Sequence, residues 1–106
     1  MKKLYGIGIN QGYTYGVCRV INSVEDLNEA EYGDILILPN SDPSYALGVL
    51  KAGGIVCETG GRLSHICTVA MEMGIPCVTQ VDNARENLVN AQYVTVDARN
   101  GEISYD

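Results

Sequence analysis

Tryptophan and phenylalanine are absent from this 106-residue sequence, and histidine occurs once, at His65. Without large apolar rings, the core has to be built from Val, Ile, Leu, Met, Ala, Cys and some of the seven tyrosines. Basic residues are scarce: seven Lys and Arg stand against thirteen Asp and Glu, for a net charge of −6. Only Lys2-Lys3 places two bases side by side. That distribution argues against a nucleic-acid partner, whose affinity would come from clustered cations. No apolar run approaches membrane-spanning length, so no membrane partner is expected. Met1-Lys2-Lys3 leads into a short, glycine-broken stretch rather than the apolar segment of a secretory signal. Cys18, Cys57, Cys67 and Cys77 include no C-x-x-C pair. These features together predict a cytoplasmic protein whose thiols stay reduced and serve as small buried hydrophobes.

What is present suits a globular chain, with 46% hydrophobic and 19% charged residues. Its length predicts one domain over residues 1–106 with a single core, burying about 60–70% of the surface it would expose unfolded.

Periodicity gives the order of elements. Leu4 to Ile9 reads as a short strand thinned by Gly6 and Gly8, with turn chemistry at Asn10-Gln11-Gly12. Tyr15 to Ile21 reads as a second strand. Ser23-Val24-Glu25-Asp26 is a cap with acids in the first turn, opening a short helix that stops near Gly33. Asp34-Ile35-Leu36-Ile37-Leu38-Pro39 is a continuous apolar run, suited to a strand covered on both faces. Ser41-Asp42-Pro43 opens a helix carrying Tyr45, Leu47, Val49 and Leu50 and ending at Gly53-Gly54. Ile55-Val56-Cys57 is a buried strand. Ser64 caps a helix with an inward stripe of Ile66, Val69, Ala70 and Met73; Gly74 ends it and Pro76 prevents its resumption. Cys77 to Val81 is a strand, Asp82 to Leu88 a weak helical turn, and Tyr93–Val96 with Glu102–Tyr105 a hairpin around Asn100-Gly101. Tyr5, Tyr13, Tyr15 and Tyr45 fit half-buried packing positions, with partner docking as the alternative. The middle therefore alternates strand and helix, implying parallel crossovers, while the ends imply a second, antiparallel layer.

The chemistry concentrates at His65. A strand ends at Cys57-Glu58, Gly60-Gly61 turn the chain, and a helix begins at Ser64. Amide N–H groups at a helix start are unpaired, and the local dipole is positive, which suits an anion. Gly60 and Gly61 let a ligand approach the backbone. A neutral imidazole, with an ordinary pKa of about 6.5, is a competent nucleophile at neutral pH. A phosphoryl group on its nitrogen is also labile enough to be passed on. On local features alone, however, a lone histidine at a helix start is more often a packing or capping residue. Cys57, His65, Cys67 and Cys77 could also be read as zinc ligands by type. Their spacing of eight, two and ten residues opposes that, and His65 and Cys67 lie about 200° apart on a helix.

The segment from Gly61-Arg62-Leu63-Ser64-His65 through Ala70 to Gly74-Ile75-Pro76-Cys77-Val78 resembles the phosphohistidine signature of the phosphoenolpyruvate-utilising enzymes. Their swivelling domain reads approximately G-G-x-x-S-H-x-x-x-x-A-x-x-x-G-I-P-x-V. Gly8 to Val17, Asp34 to Pro39 with Asp42-Pro43, Ala52 to Val56, and Val94 to Asp97 with Gly101 are similar to other parts of that domain. The resemblance implies an α/β fold of three β/β/α layers: a central parallel sheet, an antiparallel second sheet, and helices on one face. It implies His65 as the phosphorylated residue, with Thr59, Gly60, Gly61, Arg62 and Ser64 supporting the phosphoryl group. It implies no cofactor bound by the chain itself, and ATP or phosphoenolpyruvate with Mg on partners. Those partners are an ATP-grasp-type nucleotide-binding protein, a phosphoenolpyruvate- or pyruvate-binding protein, or both. Leu63 stands where many members carry Thr, and Met71 where many carry Arg. Those departures leave open a non-catalytic relic, kept for binding or regulation, in which His65 is structural.

Overall fold

The computed structural model describes residues 1–106. Eight strands, β1 (Lys2–Tyr5), β2 (Ile7–Gly8), β3 (Tyr13–Val20), β4 (Ile35–Leu38), β5 (Gly54–Cys57), β6 (Cys77–Thr79), β7 (Tyr93–Asp97) and β8 (Glu102–Tyr105), pair in the order β1-β8-β7-β3-β4-β5-β6-β2. β3 belongs to two sheets. Its first half runs antiparallel to β7, from Tyr13↔Asp97 to Val17↔Tyr93, and its last three residues run parallel to β4, from Cys18↔Ile35 to Val20↔Ile37. The chain thus forms an antiparallel sheet, β1-β8-β7-β3, and a parallel sheet, β3-β4-β5-β6, edged by antiparallel β2.

The apolar runs explain the layering. All four residues of β4 are buried, as are all four of β5. Pleating sends alternate side chains to opposite faces. Ile35, Ile37, Val56 and Val78 therefore join Val94, Val96 and Ile103 in a core between the sheets. Leu36, Leu38, Ile55, Cys57 and Cys77 face the other way, against Ile66, Cys67 and Ala70 of a helix. The result is the expected three-layer β/β/α arrangement, with α1 (Ala46–Val49) and α2 (His65–Met73) on the outer face of the parallel sheet. The single turn α3 (Ala84–Asn87) instead sends Ala84, with Leu88 just beyond it, into the core between the sheets. No helix is long and apolar enough to cross a membrane.

Several local expectations change. The strand expected over Leu4–Ile9 is two strands broken at Gly6, pairing at opposite ends of the strand order. A Cβ on Gly6 would lie 2.4 Å from the carbonyl oxygen of Thr79, so the crossing needs glycine. The helix expected after Ser23 is a six-residue 3-10 turn, Val24–Glu29, opened by the Asp26 carboxylate, which accepts from the N–H groups of Asn22 (2.8 Å) and Ser23 (3.2 Å). After Asp42 a 3-10 turn, Pro43–Tyr45, leads into α1, which stops at Leu50, short of Gly53. There Tyr45 and Val49 are buried, while Leu47 and Leu50 are exposed. Met73 of α2 is also exposed rather than inward. Gly74 adopts a left-handed φ of 71°, and the N–H of Ile75 donates to Ala70 O at 2.9 Å. This closing loop brings Ile75, in place of Met73, against the core. The strand expected over Cys77 to Val81, β6, stops at Thr79 because Gln80 has a φ of 58°. Tyr5, Tyr13 and Tyr15 are exposed and not packed inside; Tyr15 stacks on Tyr93 with ring centroids 5.2 Å apart.

Candidate functional site

The parallel strands end on one edge, and the loops leaving β4 and β5 lie side by side there. In open α/β sheets this carboxyl edge is where ligands bind. The Glu58 N–H donates to Leu38 O at 2.9 Å, continuing the β4–β5 register into the loops. The Glu58 carboxylate then accepts from the backbone N–H of Arg85 (2.7 Å) and pairs with its guanidinium (3.0 Å). Thr59 Oγ1 donates to Pro39 O at 3.2 Å. Gly60 turns the chain with a φ of 125°, and its carbonyl accepts from the buried Thr79 hydroxyl at 2.8 Å. The Gly61 carbonyl accepts from Ser64 Oγ (2.6 Å) and the Ser64 N–H (3.1 Å).

His65 is the first residue of α2 and is exposed. Ser64 precedes it in extended conformation, but its side chain does not cap the helix. The cap comes from elsewhere. Ser41 Oγ, in the loop after β4, accepts from the Ile66 N–H at 2.9 Å and lies 2.8 Å from Ser64 Oγ. The N–H groups of Gly61, Arg62, Leu63 and His65 take no partner within the chain. These are the orphan donors of a helix start and its turn, beside the positive end of the dipole. The Asp42 carboxyl is held below its usual range, chiefly by hydrogen bonding from Ser44, with a smaller pull from the nearby His65 imidazole. An exposed imidazole, free amide donors and an open glycine turn can accept an anionic group transferred from outside.

The six residues singled out from the sequence fall in one continuous loop and helix start. Their settings differ. Gly60 is locked in the turn, whereas no atom lies within 4 Å of where a Cβ on Gly61 would sit. The Thr59 and Ser64 hydroxyls are engaged with carbonyls, and Arg62 is exposed. Both departures from the signature are on the surface: Leu63 is 88% exposed and Met71 49%. Sequence reasoning missed Ser41, Thr79, Glu58 and Arg85. No local spacing announces them, since Ser41 stands 25 residues from Ile66. The usable signal was the parallel pairing of β4 with β5, which sets their following loops side by side.

The four residues considered as metal ligands do not meet as one set. Cys57, Cys67 and Cys77 touch one another, fully buried between α2 and the parallel sheet, while His65 is in solvent, and no group of three or more His, Cys, Asp or Glu is placed to hold a metal ion. Contact with Cys67 pushes the Cys57 thiol up, contact with Cys57 pushes Cys77 up, and burial raises both.

Residues 30–101 match the family described as PEP-utilising enzyme, mobile domain. The chain belongs to that family. The curated relatives that it matches are far longer chains. A pyruvate kinase of Lactobacillus delbrueckii subsp. bulgaricus is 36% identical over 99 residues, covering 92% of this chain and 17% of that protein. A phosphoenolpyruvate synthase of Pyrococcus furiosus is 36% identical over 98 residues, covering 92% of this chain and 12% of that protein. The mobile domain thus spans less than a fifth of these relatives. Among solved structures, Thermococcus kodakaraensis aconitase X superposes with a TM-score of 0.78 at 24% identity, over 100% of this chain and 99% of that chain. That likeness is one of fold.

Proposed function

We propose that this mobile domain is a phosphoryl carrier, accepting the group on His65 from one partner and delivering it to another. The observation that carries the reading is an exposed imidazole at the first position of α2, beside backbone N–H groups that nothing in the chain occupies. In the transfer, the unprotonated ring nitrogen attacks phosphorus, the bond from phosphorus to the donor oxygen breaks, and that oxygen leaves with the electron pair. The free amides of Gly61 to Leu63 and of His65 offset the charge on the phosphoryl oxygens. Gly60 gives the turn its shape, Gly61 leaves room for approach, Ser64 ties the helix start to the turn, and Thr59 and Arg62 flank it. The donor is an ATP-grasp-type nucleotide-binding protein or a phosphoenolpyruvate-binding protein, and the chain alone turns nothing over.

Intact-mass measurement with ATP- or phosphoenolpyruvate-binding proteins encoded beside this chain is the test. The expected result is an acid-labile phosphoryl adduct on wild type and none on His65→Ala. An adduct that persists on His65→Ala, or no adduct with any such donor, would refute the reading.

A further inference from the structure

Ser41 is remote from His65 in sequence, yet it meets Gly60, Ser64 and Ile66 around the imidazole. Its hydroxyl accepts from the Ile66 N–H at 2.9 Å, in the position a helix cap normally fills from the residue before the helix. That preceding residue, Ser64, makes no cap bond; its hydroxyl lies 2.6 Å from Gly61 O and 2.8 Å from Ser41 Oγ. Gly60 packs on the same side chain, since a Cβ there would fall 2.8 Å from Ser41 Cβ. One hydroxyl therefore joins the loop after β4 to the glycine turn and the first turn of α2.

The geometry points to Ser41 as a positioning residue for phosphoryl transfer at His65, an inference that rests on the carrier reading. Ser41 takes the Ile66 amide, and the donors at His65 and in the turn remain for an incoming phosphoryl group. It also fixes the direction from which α2 presents the imidazole. Phosphoryl transfer depends on an attacking atom held in line with the breaking bond, and small misplacements are costly.

A small donor tests this without any protein partner. Phosphoramidate can transfer its phosphoryl group to the imidazole nitrogen: the new P–N bond forms, the old one breaks, and ammonia leaves with its electron pair. The rate is followed by intact mass for wild type, Ser41→Ala, Ser41→Thr and His65→Ala, with the thermal midpoint and the Ile66 amide NMR signal recorded for each. Ser41→Ala is expected to be labelled about tenfold more slowly, the effect of one lost hydrogen bond of ordinary strength. Its Ile66 amide signal should shift, and Ser41→Thr should restore both rate and signal. A purely structural role would lower the midpoint but leave the labelling rate unchanged at a temperature where both proteins are folded. Should Ser41→Ala fail to fold, Ser41→Cys keeps the volume with a weaker acceptor and should still be slower than wild type. Equal rates for wild type and a folded Ser41→Ala or Ser41→Cys would overturn the positioning role while leaving the carrier reading standing. Wild type unlabelled, or labelled as fast as His65→Ala, would remove both.

Discussion

Gly60 and Gly61 are adjacent and look equivalent in sequence, but substitution at each should give opposite results. Gly60 has a φ of 125°, a conformation alanine rarely adopts, at a cost of about 1–3 kcal/mol. Its new Cβ would also meet Ser41 Cβ at 2.8 Å and Ser64 Oγ at 3.0 Å, and forced overpacking costs about 1–3 kcal/mol. Because one backbone shift relieves part of each, Gly60→Ala should lose roughly 2–4 kcal/mol in all. Gly61 is not among the positive-φ residues and has open space around it. Gly61→Ala should therefore be neutral, or gain about 0.4–1 kcal/mol by restricting the unfolded chain. Gly74, with a φ of 71° and open space, separates the two contributions. Gly74→Ala should show the backbone penalty alone, about 1–2 kcal/mol. Urea denaturation of the three variants beside wild type, fitted with a common slope, measures the series. Gly60→Ala and Gly61→Ala falling within about 0.5 kcal/mol of each other would refute the reasoning.

The ion pair behind the turn should also matter. Glu58 is 15% exposed, and Arg85→Met would leave its carboxylate with only the backbone N–H of residue 85, at an expected cost of about 1–3 kcal/mol after allowing for partial exposure. Denaturation of Arg85→Met and of Glu58→Gln/Arg85→Met checks this: the double variant should be the more stable, and an Arg85→Met midpoint equal to wild type would contradict it. All four cysteines are buried and free, and burial, aided by the Asp34 carboxylate, pushes Cys18 up to about 12. A colorimetric thiol reagent at pH 8 should find no fast-reacting thiol in the native protein and four after denaturation. A stoichiometric reaction within seconds in the native state would show that the core is open.

Elements with one unbroken period were legible. The short apolar runs of β4 and β5 suited doubly covered strands, and Gly74 with Pro76 marked the end of α2. The signature around His65 placed the candidate nucleophile, and its context of glycine turn and helix start was readable from residue type. The split at Gly6 was not readable, because the residues on either side are equally strand-like and differ only in their partners. Met73 misled because helical spacing continues past the point where Ile75, folding back after Gly74, takes the inward position. The exposed tyrosines misled for a related reason: alternation along β3 shows that two faces exist, but Tyr13 and Tyr15 are amphipathic enough to suit either. Ser41 was invisible because its role depends on two loops meeting, a property of strand pairing and not of neighbouring residues.

The pairing of β1 with β8 sets Lys2 opposite Tyr105. Adjacent strands lie about 4.8 Å apart, so the two ends of the chain emerge almost at one point, on the sheet remote from the helical layer that carries His65. Within a longer polypeptide, such a body would hang by a single narrow neck made of two parallel tethers. Rotation about that neck would disturb no strand pairing and no core contact. A molecule 32 Å along its longest axis would then turn as one rigid body, its helical layer swinging at the far side from the neck. The same closeness means that release of the body would take a cut in both tethers, and neither cut would touch a strand pairing or the core.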